Sequence, residues 1–270
     1  MKPFFSVIIP TLNEEKFLPR LLDDIKKQKE NYYEVIIVDG CSVDNTEKVT
    51  LNYKKRFFRL NKNNVSTQRN FGAKKAIGKY LVFLDADVRI KRNFLKNIYK
   101  NITEKKGLIF IPYLIPEKGD EEYKPIFDLS NMFVEFSQNL NKKFSLGGSM
   151  VMEANLFKLI GGFNERLRMA EDHEIIQRAH NWGVNPKFMN NVPITFSLRR
   201  MKKEGQLKLV YKYLLSTAHR LFVGEIKNKI FDYEMGGQIY KNKDIKKKGL
   251  NYYIDEIEKL FNRIKNELKY

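Results

Sequence analysis

Two acidic pairs mark the places where this chain can do chemistry. Asp85 and Asp87 stand one residue apart at the end of the apolar run 80–84, and Glu171 and Asp172 stand side by side where a helical pattern begins. A short apolar run rich in β-formers reads as a strand buried on both faces. The first pair therefore leaves the carboxyl end of a central strand, where open α/β sheets hold their ligands. Two hard oxygen donors beside a cleft suit Mg²⁺ or Mn²⁺, which take one or two protein carboxylates and fill their remaining positions with substrate phosphates. An Asp-x-Asp triplet is also short, and Asp is common in turns at strand ends. Glu171 and Asp172 carry a similar ambiguity, because acids at a helix N-terminus are favoured by the helix dipole alone. A further acid, Asp39, closes a second apolar run, EVIIV, just before Gly40.

The elements that must hold these residues alternate. Residues 4–9 and 34–38 read as buried strands, and residues 14–27 between them as a helix with Leu18, Leu21, Leu22 and Ile25 on one face. A short strand at 57–60, a helix at 65–77 and the strand at 80–84 follow, with Gly72 placed where the helix needs a close approach. Beyond the Asp pair the pattern predicts a helix at 92–103, a strand at 108–113, a polar loop at 115–123 and a helix at 125–140. A glycine-marked strand at 145–152, a short helix at 155–159, a turn at Gly161-Gly162-Phe163, a helix at 171–181 and two short strands at 186–189 and 194–198 complete the series. Strands that alternate with helices this way predict an α/β fold with a mainly parallel sheet covered on both faces. After residue 200 the strands stop, and residues 206–223 and 250–268 read as helices of a basic extension, 201–270.

Composition limits the partners. The 270 residues hold 50 Lys and Arg against 32 Asp and Glu, a net charge of +18, with 18 basic and 9 acidic residues falling in the last 72. That balance predicts attraction to phosphates. No helix-turn-helix, zinc-finger or RRM signature supports a specific nucleic-acid partner, so nucleic-acid binding is the weaker alternative. A single cysteine, Cys41, excludes an intrachain disulfide and a Cys-based zinc site. With no window of 18 apolar residues and no leader-like N-terminus, the expectation is a cytoplasmic chain, peripheral at the cytoplasmic membrane face. A dinucleotide-binding dehydrogenase needs GxGxxG after the first strand, where this chain has PTLNEE.

Four blocks in order carry a resemblance: SVIIPTLNEE at 6–15, EVIIVDGCSVDNT at 34–46, TQRNFGAKKAIGKYLVFLDAD at 67–87 and GGSMVMEANLFKLIGGFNERLRMAEDHEI at 147–175. Together they resemble the inverting family 2 glycosyltransferases of GT-A fold, over about residues 4–200. The resemblance implies that Pro10, Thr11, Leu12, Glu14 and Asp39 line the base and ribose of a UDP- or GDP-sugar. It places Arg69 near the base or phosphates, where the bland alternative is a solvent-facing arginine. It gives Asp85 to the ribose or a water-bridged metal, Ala86 to a backbone contact with the nucleotide and Asp87 to the metal, Mg²⁺ or Mn²⁺. Arg199 and Arg200 resemble a basic loop over the diphosphate.

On the acceptor side the resemblance makes Asp172 the general base, with Glu171, Gly148 and Ser149 facing a glycan or lipid-linked acceptor; missing side chains at 147–148 would let a sugar approach the backbone. The QxxRW signature of processive synthases is absent, which implies transfer of one or a few sugars. A polyprenyl-phosphate acceptor met at a membrane surface by helix 206–223 is the alternative. His173 and His180 read as surface and structural positions, and His219 lies where some relatives take a further metal ligand. Asp44 reads as a helix cap.

Overall fold

Buried runs of β-branched residues set the first sheet positions. In the computed structural model, which describes residues 2–29, 32–138, 143–145, 148–167 and 170–199, the runs become β1 (Phe5–Thr11) and β2 (Tyr33–Asp39), paired in parallel register from Phe5 with Tyr33 to Thr11 with Asp39. The remaining strands are β3 (Arg56–Arg59), β4 (Tyr80–Phe83), β5 (Arg89–Ile90), β6 (Ile109–Pro116), β7 (Met150–Glu153) and β8 (Lys187–Phe196). They form a single eight-stranded sheet in the order β3-β2-β1-β4-β7-β6-β8-β5. β4 is interior and wholly buried, as its continuous apolar sequence requires. The sheet is more evenly mixed than the alternating pattern predicts, with four parallel pairings and three antiparallel ones, all of the latter involving β5, β6 or β7.

The helices are α1 (Leu18–Lys26), α2 (Thr46–Asn52), α3 (Val65–Lys75), α4 (Phe94–Lys105), α5 (Lys124–Ser137), α6 (Ala154–Leu159) and α7 (Glu171–Asn181). α1 begins four residues later than the expected start at Glu14. Pro19 sits in its first turn, where a missing N–H costs nothing; inside a longer helix it would break a bond and clash. Leu18, Leu21, Leu22 and Ile25 are all buried, as the periodicity requires. Asn64 caps α3 by accepting from the Thr67 N–H at 2.9 Å. Gly72 on α3 lies so near β1 that a Cβ there would meet Ile8 Cγ2 at 2.5 Å. Ile8 shares one buried cluster with Phe83, Val134, Phe157, Phe163, Ile175 and Ile176, which ties α5, α6 and α7 to the strands that α3 covers. α1 and α4 pack against β5 and β8.

Several strand expectations change: the strand expected from 145 starts at Met150, and β5 falls where no strand is expected. Residues 186–189 and 194–198 form one strand, β8, whose pairing with β6 shifts register between Pro112 and Tyr113. Pro112 has no N–H to give, and such residues sit at bulges and open edges. β6 also runs on through Pro116 into the expected loop, and Asn131 of α5 replaces a neighbouring strand there. Its side chain accepts from the Leu114 N–H at 2.9 Å and donates to the Leu114 carbonyl at 2.7 Å.

By backbone proximity the chain falls into two units. The first comprises Met1–Glu165, Glu171–Ser197 and Met235–Ile239 and holds every element named above; the second comprises Arg166–Ala170, Leu198–Glu234 and Tyr240–Tyr270. The helices expected at 206–223 and 250–268, together with Arg200 and His219, lie outside the described residues, and Arg199 belongs to the second unit. Among the described residues no helix is long and apolar enough to cross a membrane.

Candidate active site

At the carboxyl ends of β1 and β2 the two following loops are joined by side chains that take up backbone N–H groups. Asn13 N–H donates to Ser42 Oγ at 2.7 Å, Glu14 N–H to Thr46 Oγ1 at 2.8 Å and Glu15 N–H to Asp44 Oδ2 at 3.1 Å, while Val43 N–H donates to Asn13 Oδ1 at 2.9 Å. Asn13 holds φ +57, a conformation Asn tolerates better than most residues. Asp44 also accepts from the Thr46 N–H at 3.0 Å, so it serves the start of α2 from just before the cap position. Asp39 is fully buried: its carboxylate accepts from Thr11 Oγ1 at 3.0 Å, from the Ser42 N–H at 2.8 Å and from the Ser42 hydroxyl. Gln68 of α3 donates to the carbonyls of Thr11 (2.8 Å) and Val38 (2.7 Å) and so locks the two strand ends to each other. Gln68, Ser42 and Thr46 were not singled out from the sequence. Nothing in their spacing marks them, since each acts on a partner at least 29 residues away except for Ser42 on Asp39 and Thr46 on Asp44. Pro10 is buried within β1, and Leu12 begins the loop.

The neighbouring β4 ends in a tight turn, with the Val88 N–H donating to the Asp85 carbonyl at 3.4 Å. Ala86 and Val88 are buried while Asp85 and Asp87 are partly exposed. The chain just beyond is anchored from α1. Buried Asp24 holds Arg89 through two bonds, at 2.6 and 2.8 Å, and also accepts from the Ile90 N–H; Gln28 donates to the Lys91 carbonyl at 2.9 Å. A bidentate Arg–carboxylate pair of this kind fixes orientation as well as position.

Arg69 is the hinge of the whole arrangement. Its side chain is 2% exposed, so the solvent-facing alternative is excluded. Nη2 donates to Asp85 Oδ1 at 2.8 Å, Nη1 donates to Glu171 Oε1 at 2.7 Å, and the guanidinium lies 5.3 Å from the centre of the Phe163 ring. Burial disfavours its charge, but the nearby carboxylates of Asp85, Glu171 and Asp172 more than offset this and hold its pKa above the ordinary arginine value. Glu171, with 13% of its side chain exposed, is pushed upward by burial; Arg69 opposes that push and the adjacent Asp172 adds to it.

Gly148 completes the constellation. It carries φ +65, and its backbone N–H donates to Asp172 Oδ2 at 3.3 Å. A Cβ at this position would lie 2.4 Å from Arg69 Nη2 and 3.4 Å from Asp85 Oδ2. The room read from the sequence as space for a sugar is therefore filled by the guanidinium. Gly148→Ala is expected to lower stability by about 2–4 kcal/mol, combining left-handed backbone strain with overpacking. An unfolding free energy from urea titration within about 0.5 kcal/mol of the parent would contradict this placement.

Asp172 is buried, and its Oδ1 also accepts from the His173 N–H at 2.9 Å. His173 is not simply a surface residue. Its Nδ1 accepts from the Ser145 N–H at 2.8 Å, and its ring meets Phe144 edge-on, so it ties the segment before β7 to α7. His180 contacts Asn185 and is structural. Ser149 is buried, and its hydroxyl has no hydrogen-bond partner among the described residues. The turn before α7 is fixed to α3 by Asn70, which accepts from the Phe163 N–H (2.8 Å) and donates to the Phe163 carbonyl (2.9 Å).

Among the described residues no group of three or more His, Cys, Asp or Glu is placed to hold an ion. Asp85 and Asp87 are two hard oxygen donors, the number and kind that a divalent cation takes from a protein when a bound diphosphate supplies its other oxygens, and one oxygen of Asp85 is engaged by Arg69.

This geometry has relatives. The chain is 26% identical over 191 residues to the poly(ribitol-phosphate) β-N-acetylglucosaminyltransferase TarS of Staphylococcus aureus, a match covering 65% of this chain and 32% of TarS. It is 28% identical over 117 residues to glycosyltransferase GlyG of Streptococcus pneumoniae, covering 41% of this chain and 39% of GlyG. The chain thus spans about a third of the length of the first curated relatives. In fold it is similar to S. aureus TarS residues 1–349 solved with UDP-GlcNAc, with a TM-score of 0.59 at 22% identity over 83% of this chain and 70% of that one. It is also similar to the mannosyltransferase PcManGT of Pyrobaculum calidifontis solved with GDP-Man and Mn²⁺, with a TM-score of 0.65 at 18% identity over 82% of this chain and 65% of that one. These likenesses bear out the expected GT-A architecture, a mixed sheet flanked by helices. The family model described as glycosyl transferase family 2 matches residues 6–161, from β1 through the Asp pair to α6, and the chain belongs to that family.

Proposed function

We propose that this chain transfers a sugar from a nucleoside-diphosphate sugar to a hydroxyl acceptor with inversion, one or a few units at a time. The observation that supports this most is the continuity from Asp85 through Arg69 to Glu171, with Asp172 held by Gly148 alongside. It joins the strand-end carboxylates and the helix-start carboxylates into one group. In this reading the loops after β1 and β2 receive the nucleotide, with Pro10, Thr11, Leu12 and Glu14 around its base and ribose and the buried Asp39 holding those two loops in place through Thr11 and Ser42. Asp85 and Asp87 hold Mg²⁺ or Mn²⁺, which when bound stabilises the charge that grows on the departing diphosphate.

The chain's own contribution is positional and acid–base. Asp172 accepts the proton of the acceptor hydroxyl as its oxygen attacks the anomeric carbon from the face opposite the leaving diphosphate. The new glycosidic bond forms as the bond to the diphosphate oxygen breaks. Glu171 cannot share that proton, because adjacent helix residues point about 100° apart, and its carboxylate is committed to Arg69. The acceptor we assign is a hydroxyl on a glycan or lipid-linked glycan.

The solved neighbours carry UDP-GlcNAc and GDP-Man, which supports a UDP or GDP donor. A thermal-shift screen of UDP-, GDP- and dTDP-sugars with and without Mn²⁺ tests the reading. At 100-fold excess over Kd, the matching donor with metal is expected to add about 2.7 kcal/mol of stability, a shift of several degrees. No shift with any of the donors under either condition would overturn it.

A further inference from the structure

The guanidinium of Arg69 is buried, with 2% of the side chain exposed. Both of its terminal nitrogens are used inside the protein, on Asp85 and on Glu171, which lie 16 and 102 residues away in sequence. One flank of its plane is covered by the Phe163 ring, and Gly148 is bare on another side so that Nη2 fits. Its third nitrogen, Nε, is buried without a partner among the described residues, so the hydrogen bonds that hold the group run from its two terminal nitrogens to the two carboxylates.

We propose that Arg69 is a positioning residue that fixes the distance between the donor-side carboxylate Asp85 and the acceptor-side helix start at Glu171, and that it does not bind the nucleotide. The planar fork is suited to this because two donors leave it in a fixed plane and meet two acceptors at once; a lysine ammonium offers a point charge on a flexible stem. Asp172 follows Glu171 on α7, so the brace also sets where the proton acceptor stands relative to the strand-end carboxylates. Displacements on the order of 1 Å at such a site cost roughly 100-fold in rate.

The inference rests on the transferase reading above, and the test separates the two. Isothermal titration with UDP and Mn²⁺ reports nucleotide affinity, and release of UDP from UDP-GlcNAc to water or acceptor reports turnover. Arg69→Lys is expected to leave the Kd for UDP within about threefold of the parent and to lower kcat by roughly 100-fold. The charge-balanced double variant Arg69→Met with Glu171→Gln removes one cation and one anion together, so it guards against loss of fold. It is expected to turn over no more slowly than Arg69→Met alone, because both substitutions break the same link. An Arg69→Lys enzyme whose UDP affinity falls as far as its turnover would make Arg69 a donor ligand and overturn the brace. So would one that keeps kcat within threefold, or a double variant whose losses multiply. Where the thermal-shift screen selects a GDP- or dTDP-sugar, that nucleotide and its sugar replace UDP and UDP-GlcNAc in both assays; a parent chain stabilised by none of the donors would overturn the functional reading, and the brace with it.

Discussion

Asp172→Asn is expected to slow release of the nucleoside diphosphate from the donor sugar that the thermal-shift screen selects by roughly 10²- to 10⁴-fold while leaving affinity for that nucleotide within a few fold of the parent. Asparagine keeps the shape of the side chain, and its carbonyl oxygen can still accept from the Gly148 N–H, but its amide nitrogen then faces the His173 N–H, which loses its acceptor. What it cannot do is take up a proton from an attacking hydroxyl. The cost to the fold is expected to be about 1–2 kcal/mol, that of one lost acceptor, because no cavity opens at a position that is only 7% exposed. Titration with that nucleotide separates the outcomes: equal affinity with lost turnover places Asp172 in the chemical step. Turnover within a few fold of the parent would remove it from that role. A parallel loss of affinity would move it to the donor side.

Asp87→Ala should produce the complementary pattern. Asp87 is partly exposed in the turn after β4, so the cost to the fold is expected to stay within about 1 kcal/mol. The metal-dependent part of nucleotide binding should disappear: the thermal shift given by the selected nucleotide with Mn²⁺ should fall to that given by the nucleotide alone, and turnover should fall by at least about 100-fold, since several kcal/mol of charge stabilisation come from the ion. If the shift still depends on Mn²⁺ in Asp87→Ala, the ion is held by other residues. Comparing the two variants tests the division of labour, because one should spare nucleotide binding and the other should not.

The distinction also bears on how Glu171 is read. It neighbours Asp172, but its carboxylate is spent on Arg69, and burial pushes its pKa upward against the pull of that arginine. The two adjacent acids differ in their hydrogen bonds: Glu171 accepts from the Arg69 guanidinium, while Asp172 accepts from the Gly148 and His173 N–H groups. Arg69 in turn needs Gly148, since any side chain at that position would collide with Nη2.

By itself the sequence determined the strands β1, β2 and β4, the exit of Asp85 and Asp87 from the end of a central strand, the apolar face of α1 and the tight contact at Gly72. These are local properties: burial on both faces produces an unbroken apolar run, a half-buried helix produces a 3.6-residue stripe, and a turn needs its own residue types. Even there the helix with Pro19 in its first turn starts later than expected, and one strand, its register shifted opposite Pro112, stands where two were expected. Only the tertiary structure decided which partners the polar groups took. Asp39 turned inward to Thr11 and Ser42, Gln68 closed two strand ends, and Arg69 joined Asp85 to Glu171 through the gap at Gly148. A side chain's type fixes what bonds it can form, while the partner it meets across a hundred residues depends on where the folded backbone places both, and that is settled by packing of the whole sheet and its helices.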